Sequence, residues 1–383
     1  MSRLRHGLVT GVLPAVVALL VSLVVLAAVL VLLGVDPVKS LRALFDFGAT
    51  ERAQSNQLRS WINRAVPLFL SGLAVSVSFR MNLFNIGVEG QYRVAALVAA
   101  AAGAAVTLPA VLHIPFILVV AMATGAAYAS IPAVLKVTRG VNEVITTIML
   151  NSIAIGLIAY LLRGPFRDPA LSPTENPRTT ELAGSARFPG LPAVFEPLGL
   201  PAPSRPVGGF IVLAVLVGIV VAVVINRTRF GFELRSSGIN ASAAAASGIP
   251  SRRMTVQAML ISGALAGLVG MPQILGEDYQ FGNNFTAGLG FSGIAVALLG
   301  RNAPAGIALA AILFAFLDRA GPSLQRVDIP PSVVTITQGV IVLSVVIVNE
   351  VARRALQRSE DRRSGPGGDG APSSTGAPAP VTV

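Results

Sequence analysis

From Gly7 to Val35 the chain runs without a single charged residue. About 20 apolar residues in a helix cross a hydrocarbon core, so a stretch this long has one comfortable environment, the bilayer. The basic start Ser2-Arg3-Leu4-Arg5 looks like the head of a secretory signal. A signal's apolar region, however, ends after about 7–15 residues. This run is longer and others follow it, so it reads as a retained spanning helix. Composition agrees: 53% of the 383 residues are apolar and 12% are charged, against about 25% charged in a soluble domain. The mean hydropathy is +0.73. With no cysteine and two histidines, His6 and His113, disulfide scaffolds, thiolate nucleophiles and most zinc sites are excluded. No cluster of paired acids or histidines suggests catalysis, and no residue pattern calls for a metal or a cofactor.

Candidate spans fall at 8–34, 65–79, 92–108, 112–136, 143–162, 208–225, 256–275, 288–300, 303–318 and 331–349. The expected fold is all-α and polytopic, with about ten transmembrane helices in a domain covering 1–358. The Gly/Pro/Ser-rich tail, 359–383, reads as disordered. Two segments, 65–79 and 288–300, are short, as broken helices around a transport path often are. An even number of spans puts both termini on one side. Arginine and lysine then choose the side: with the termini inside, the inner pieces sum to +10 and the outer ones to +1. The net charge of +11 is therefore a topology signal, and nucleic-acid binding loses its support. Between spans, 36–64 reads as a mixed interfacial segment, 163–207 as a proline-dense outer loop, and 226–255 as an inner loop with five arginines.

Polar residues interrupt the apolar pattern at three places. Met81 to Gln91 carries Asn82, Asn85, Glu89 and Gln91 among glycines. Such backbone is tolerated at membrane depth where it packs in protein or faces a watery cavity. Either a helix break lining a path or a tight cytoplasmic turn with a structural ion pair, Glu89 beside Arg80 and Arg93, would fit. From Gly140 to Asn151, the residues Glu143, Thr147 and Asn151 recur every fourth position and share a helical stripe with Asn142 just before it. They either bond neighbouring helices or meet a neutral, hydroxyl-rich solute. In the inner loop Asn240 is a good N-cap, Gly248 a good C-cap, and the alanines between them favour a short helix across the cytoplasmic face. It is too short to stand alone, so it is either a docking element for a partner or a frayed loop. Two strings carry no such meaning. Gly288-x-Gly290-x-x-Gly293 lacks the strand a dinucleotide fingerprint needs, and Gly263-x-x-x-Gly267 is a small-residue packing face. No phosphate-binding Gly-x-x-x-x-Gly-Lys-Ser/Thr loop occurs, so the chain has no ordinary means of hydrolysing ATP.

The strings FNIGVEGQ (84–91), GVNEVITTIMLN (140–151), RSSGINASAAAASGI (235–249), ISGALAGLVG (261–270) and GFSGIAVALLGRNAPAGIALAAILF (290–314) together resemble ABC-transporter permeases of the branched-chain amino acid and simple-sugar group. Within that group they look most like the larger permease subunit of nucleoside importers. The resemblance runs from about 60 to 350 and omits the 163–207 loop and the tail; Ala303 also stands where such permeases often carry a polar residue. It implies a subunit of a bacterial inner-membrane importer, multi-pass, with both termini cytoplasmic. It implies that Asn240–Gly248, with Arg235, Gly238, Ala244 and Ala245, is a coupling helix docking on a cytoplasmic ABC ATPase. Asn82, Asn85, Glu89, Gln91, Asn142, Glu143, Thr147 and Asn151 would lie on or beside the translocation path. The partners would be that ATPase, a different and smaller second permease, an extracytoplasmic solute-binding lipoprotein and membrane lipid, with no nucleic acid. The solute expected is a nucleoside, with a simple sugar as the alternative. An ion-coupled carrier using Glu89 or Glu143, and an integral-membrane enzyme, are the competing classes.

Overall fold

The computed structural model describes residues 36–44, 50–191 and 199–325, with scattered positions in 24–34 and 335–347. The expected first and tenth spans fall for the most part outside these residues, and the 359–383 tail falls wholly outside them. The described helices are α1 (Pro37–Leu44), α2 (Glu51–Phe79), α3 (Val88–Ala104), α4 (Ala110–Arg139), α5 (Glu143–Arg163), α6 (Phe210–Arg227), α7 (Arg229–Ile239), α8 (Ala241–Ala246), α9 (Ser251–Leu268), α10 (Met271–Gln273), α11 (Leu289–Leu299) and α12 (Pro304–Gln325). A π-helical turn, Ile274–Asp278, prolongs α10. Helices α2, α4, α5, α6 and the run Ser251–Asp278 are each long and apolar enough to cross a membrane.

The bundle has two ends. One carries α7, α8 and the α4–α5 turn, and is rich in arginine; the other carries the 163–209 loop. Helix α2 is the axis, packed by α12, α11, α9 and α6, and from Val66 to Ser78 nearly every side chain is buried. The α4–α9 crossing is the most intimate contact. There Gly263 and Gly267 lie directly on the backbone of Ala121–Gly125, with no room for a Cβ on either side. The small-residue face read from the sequence is thus a helix-packing seam, where close approach multiplies dispersion contacts. On the periphery α4, α5 and α6 expose Val119, Ile131, Ile148, Ile153, Leu216 and Ile219, as helices bordering lipid or another spanning chain do.

Three boundaries correct the sequence reading. The supposed interfacial segment 36–64 is not one unit: α2 begins at Glu51, capped by the Thr50 hydroxyl, and continues unbroken for 29 residues. Its first half reads as polar because it is anchored to the loop end, through Asn56 to Ser204, Arg59 to the Pro206 carbonyl and Arg64 to Asp318. The third span begins at Val88, so Glu89 and Gln91 belong to a helix rather than to the break before it. The seventh extends through the π turn to Asp278.

The long loop is stitched down. Its two-residue strands β1 (Gly190–Leu191) and β2 (Val207–Gly208) pair antiparallel. Thr179, Leu182 and Phe188 donate backbone hydrogen bonds to the carbonyls of Phe281, Tyr279 and Leu275. Buried His113 pins the loop to the bundle, with one ring nitrogen 2.9 Å from the Ser185 hydroxyl and the other 2.9 Å from the Gly103 carbonyl.

Candidate translocation and coupling sites

Two helices start inside the bundle instead of at its ends. Helix α11 runs from Leu289 to Leu299 and stops at the arginine-rich end, where Arg80 Nη2 donates to the Asn302 carbonyl at 2.7 Å. Eleven residues at 1.5 Å each put its N-terminus about 16 Å in, close to half the thickness of a bilayer core. Helix α3 starts beside it and runs the other way. Helix N-termini leave backbone N–H groups without partners, and at this depth no bulk water supplies them.

Side chains do so instead. The Glu89 carboxylate accepts from Gly288 N and Gly290 N, both at 2.9 Å, and from the Tyr92 hydroxyl at 3.2 Å. Its charge thus sits at the positive end of α11, a favourable place for an anion. The glycine string rejected as a nucleotide fingerprint binds a carboxylate of its own chain. The ion pair, one of the two alternatives, is not formed: among the described residues Glu89 bonds amides and a hydroxyl instead, Arg80 Nη2 turns to Asn302, and the Nε atoms of Arg80 and Arg93 are buried without a partner. The Asn151 amide closes the other terminus. Its Oδ1 accepts from Gly90 N at 2.9 Å and its Nδ2 donates to the Ile86 carbonyl at 3.0 Å. Asn85 and Gln91 exchange two amide bonds at 3.0 Å, and Asn85 also donates to Ser262 Oγ, which donates to the Ala74 carbonyl.

The remaining stripe residues divide. Thr147 is buried and bonds the Glu143 carbonyl of its own helix. Glu143 pairs with Lys136 at 2.5 Å across the α4–α5 turn, and exposed Asn142 caps α5 through Val144 N. Asn85, Glu89, Gln91 and Asn151 therefore bond between segments of the bundle, whereas Thr147 bonds only within its own helix. Tyr92, Ser262, Gly288 and Gly290 belong to the same junction and were missed. Gly288 and Gly290 stood in plain sight, but nothing local says that a carboxylate some 200 positions earlier meets them.

At the arginine-rich end, Asn240 caps α8 through Ser242 N and Ala243 N, and Gly248 adopts φ +81°, as the sequence predicts. Ala244 faces inward against Leu234 and Met254, whereas Ala241, Ala243, Ala245 and Ala246 face outward with Ile239 and Phe232. Gly238 lies so close to the Arg80 carbonyl that no side chain fits. The neighbouring Asn82 Nδ2 donates to the Gly238 carbonyl at 2.9 Å. Arg235 bonds the Ile225 carbonyl. Burial, and then the charge of Arg235, push the Arg80 guanidinium below its ordinary value. The turn before the break and the α7–α8 pair are thus one packed unit.

Residues 57–347 match the family described as branched-chain amino acid transport system, permease component. The chain belongs to this family. Among its relatives are the glucose ABC transporter permease of Haloferax volcanii, 34% identical over 95% of this chain and 94% of that one; the guanosine ABC transporter permease of Bacillus subtilis, 40% identical over 63% and 66%; and a nucleoside ABC transporter permease of Lactococcus lactis, 29% identical over 88% and 91%. The permease is thus a multi-pass membrane subunit of an ABC transporter and not an ATPase, and such a permease works with an ATPase and a solute-binding protein. The ion-coupled carrier and the membrane enzyme are set aside on that ground.

Proposed function

We propose that the chain is the translocation subunit of an ATP-driven nucleoside importer. The observation that carries this reading is the 40% identity, over 244 residues, to a guanosine permease. The glucose permease, matched over 95% of this chain, favours the second reading, a simple sugar. Solute uptake by vesicles holding the full transporter, with and without ATP, decides between them: ATP-dependent uptake of nucleosides and not of glucose is expected, and the reverse pattern overturns the reading.

In this proposal the outward faces of α7 and α8 dock on the ATPase, with Ala245 at the contact and Ala244, Gly238 and Arg235 supporting it from behind. The path runs beside the junction of α3 and α11, which Asn85, Glu89, Gln91, Thr147 and Asn151 hold in shape, while Asn82, Asn142 and Glu143 frame its arginine-rich end. A second, smaller permease would cover the exposed apolar faces, and a lipoprotein would bind over the 163–207 loop. The net charge of +10 on the pieces at the α7–α8 end against +1 at the other supports a cytoplasmic location of α7, α8 and both termini in a bacterial cell. Because the chain holds no cysteine, single-cysteine labelling tests this on a clean background. Exposed Ala183→Cys should react with an impermeant reagent in intact cells and exposed Ser247→Cys should not. Labelling of the latter would reverse the orientation.

A further inference from the structure

At the loop end of the bundle, walled in part by Asn63, Arg64, Val66 and Pro67 of α2, lies a partly open cavity of about 90 Å³. It has no role in the junction described above, though Thr286 and Leu289, on the segment that leads into α11, form part of its wall. Two aromatic rings line it, Phe188 and Phe210, with centroids 5.1 Å apart. So do the polar groups of Asn63, Gln273, Glu277, Arg64 and Arg319.

Most of these groups are already bonded. Arg64 Nε reaches Asp318 at 2.7 Å. Asn63 joins Glu277 and Gly208 N, and Gln273 joins Asp278 and Thr286 N. Arg319 differs: it is exposed at the cavity's rim, and although the carboxylates of Glu277 and Asp318 lie close enough to favour its charge, it makes no ion pair or hydrogen bond among the described residues. A guanidinium presents donors in a rigid planar fork and accepts nothing. The cavity therefore offers spare donors beside a wall suited to a flat ring. Its volume is below the roughly 150 Å³ that admits a benzene ring, so it takes the edge of a solute and not the whole.

We propose that this cavity is the permease's first station for the solute, and that Arg319 receives there the carbonyl-bearing edge of a 6-oxopurine nucleoside. The fork matches the O6 and N7 acceptors of such a ring, whereas adenine replaces the carbonyl with a donor amine. A sugar hydroxyl would gain little from the aromatic wall. The inference rests on the nucleoside reading. A solute edge held here would press on Thr286 and Leu289, each within two residues of the Gly288 amide that Glu89 holds.

The test is equilibrium binding of radiolabelled inosine and adenosine to the full transporter in lipid nanodiscs, without the solute-binding protein. Wild type should prefer inosine by about tenfold, the scale of one charge-assisted hydrogen bond. Arg319→Met should lose that preference by weakening inosine about tenfold and adenosine less than about twofold, with Arg319→Lys in between. Equal inosine binding by wild type and Arg319→Met overturns the proposal. Should Arg319→Met fail to assemble, Phe188→Leu serves: weaker binding of both nucleosides supports the site, and unchanged binding rejects it. If the complex takes up glucose and no nucleoside, the functional reading fails and this inference with it. Nucleoside uptake with binding indifferent to Arg319 removes the inference alone.

Discussion

The junction of α3 and α11 and the α7–α8 pair solve opposite problems with similar means. Both are helix starts satisfied by a side-chain oxygen: Glu89 and Asn151 at mid-depth, Thr228 and Asn240 at the arginine-rich end. At the junction the capping groups are buried and every bond is made within the chain. In α8, six residues long, a single alanine faces inward and the rest face out. An unsatisfied group at mid-depth has no water to turn to, so the junction must be complete in the isolated chain. A helix at the membrane surface can leave its contacts to a partner. The two regions should accordingly respond to mutation in different currencies, one in the stability of the fold and the other in association.

Glu89→Ala should have the largest effect. It strips the acceptor from the buried Gly290 N–H and the half-buried Gly288 N–H, while Tyr92 keeps the Thr286 carbonyl, at a cost on the order of 3–5 kcal/mol, read as a sharply lower thermal midpoint of the purified complex and poor membrane yield. A midpoint near wild type would mean that water reaches these amides and that the junction borders an aqueous path directly.

Asn151→Leu comes next, because it orphans Gly90 N and the Ile86 carbonyl at about 1–3 kcal/mol each. Thr147→Val sharpens the contrast. The Thr147 hydroxyl only bonds back to its own helix, so the loss should stay below about 1 kcal/mol. Equal thermal midpoints for the two variants would break the distinction between a bracing asparagine and a helix-internal threonine. If Thr147→Val keeps its stability and yet slows uptake, the stripe touches the solute after all.

Ala245→Glu should perturb the fold least, within about 0.5 kcal/mol, as exposed sites usually do. Co-purification with the ATPase and solute-stimulated hydrolysis should nevertheless fall severalfold. Full association and activity would remove α8 as the coupling element. Ala244 is no substitute in this experiment: its side chain is buried against Leu234 and Met254, so a charge there would damage the permease itself.

The order of helices between 65 and 318, the Asn240 and Gly248 caps and the Gly263–Gly267 seam were all legible in the chain. Each is a local property: apolar length, capping chemistry and residue size need no knowledge of distant segments. The family, too, was legible, because its strings are contiguous. The start of α2 was misread because Arg59 and Arg64 look solvated in sequence, whereas Pro206 and Asp318, each more than 140 positions away, receive them.

The sequence by itself determined that this protein lives in a bilayer as a helical bundle, because a chain so poor in charge and so long in apolar runs has no other solvent that suits it. Only the tertiary structure decided what its polar residues do there. Glu89 could have paired with Arg80 or Arg93, its neighbours in the chain, and instead meets the amides of Gly288 and Gly290. Which partner a buried carboxylate takes depends on which orphaned donors the fold brings within hydrogen-bonding distance, and that is a property of packing that no local pattern carries.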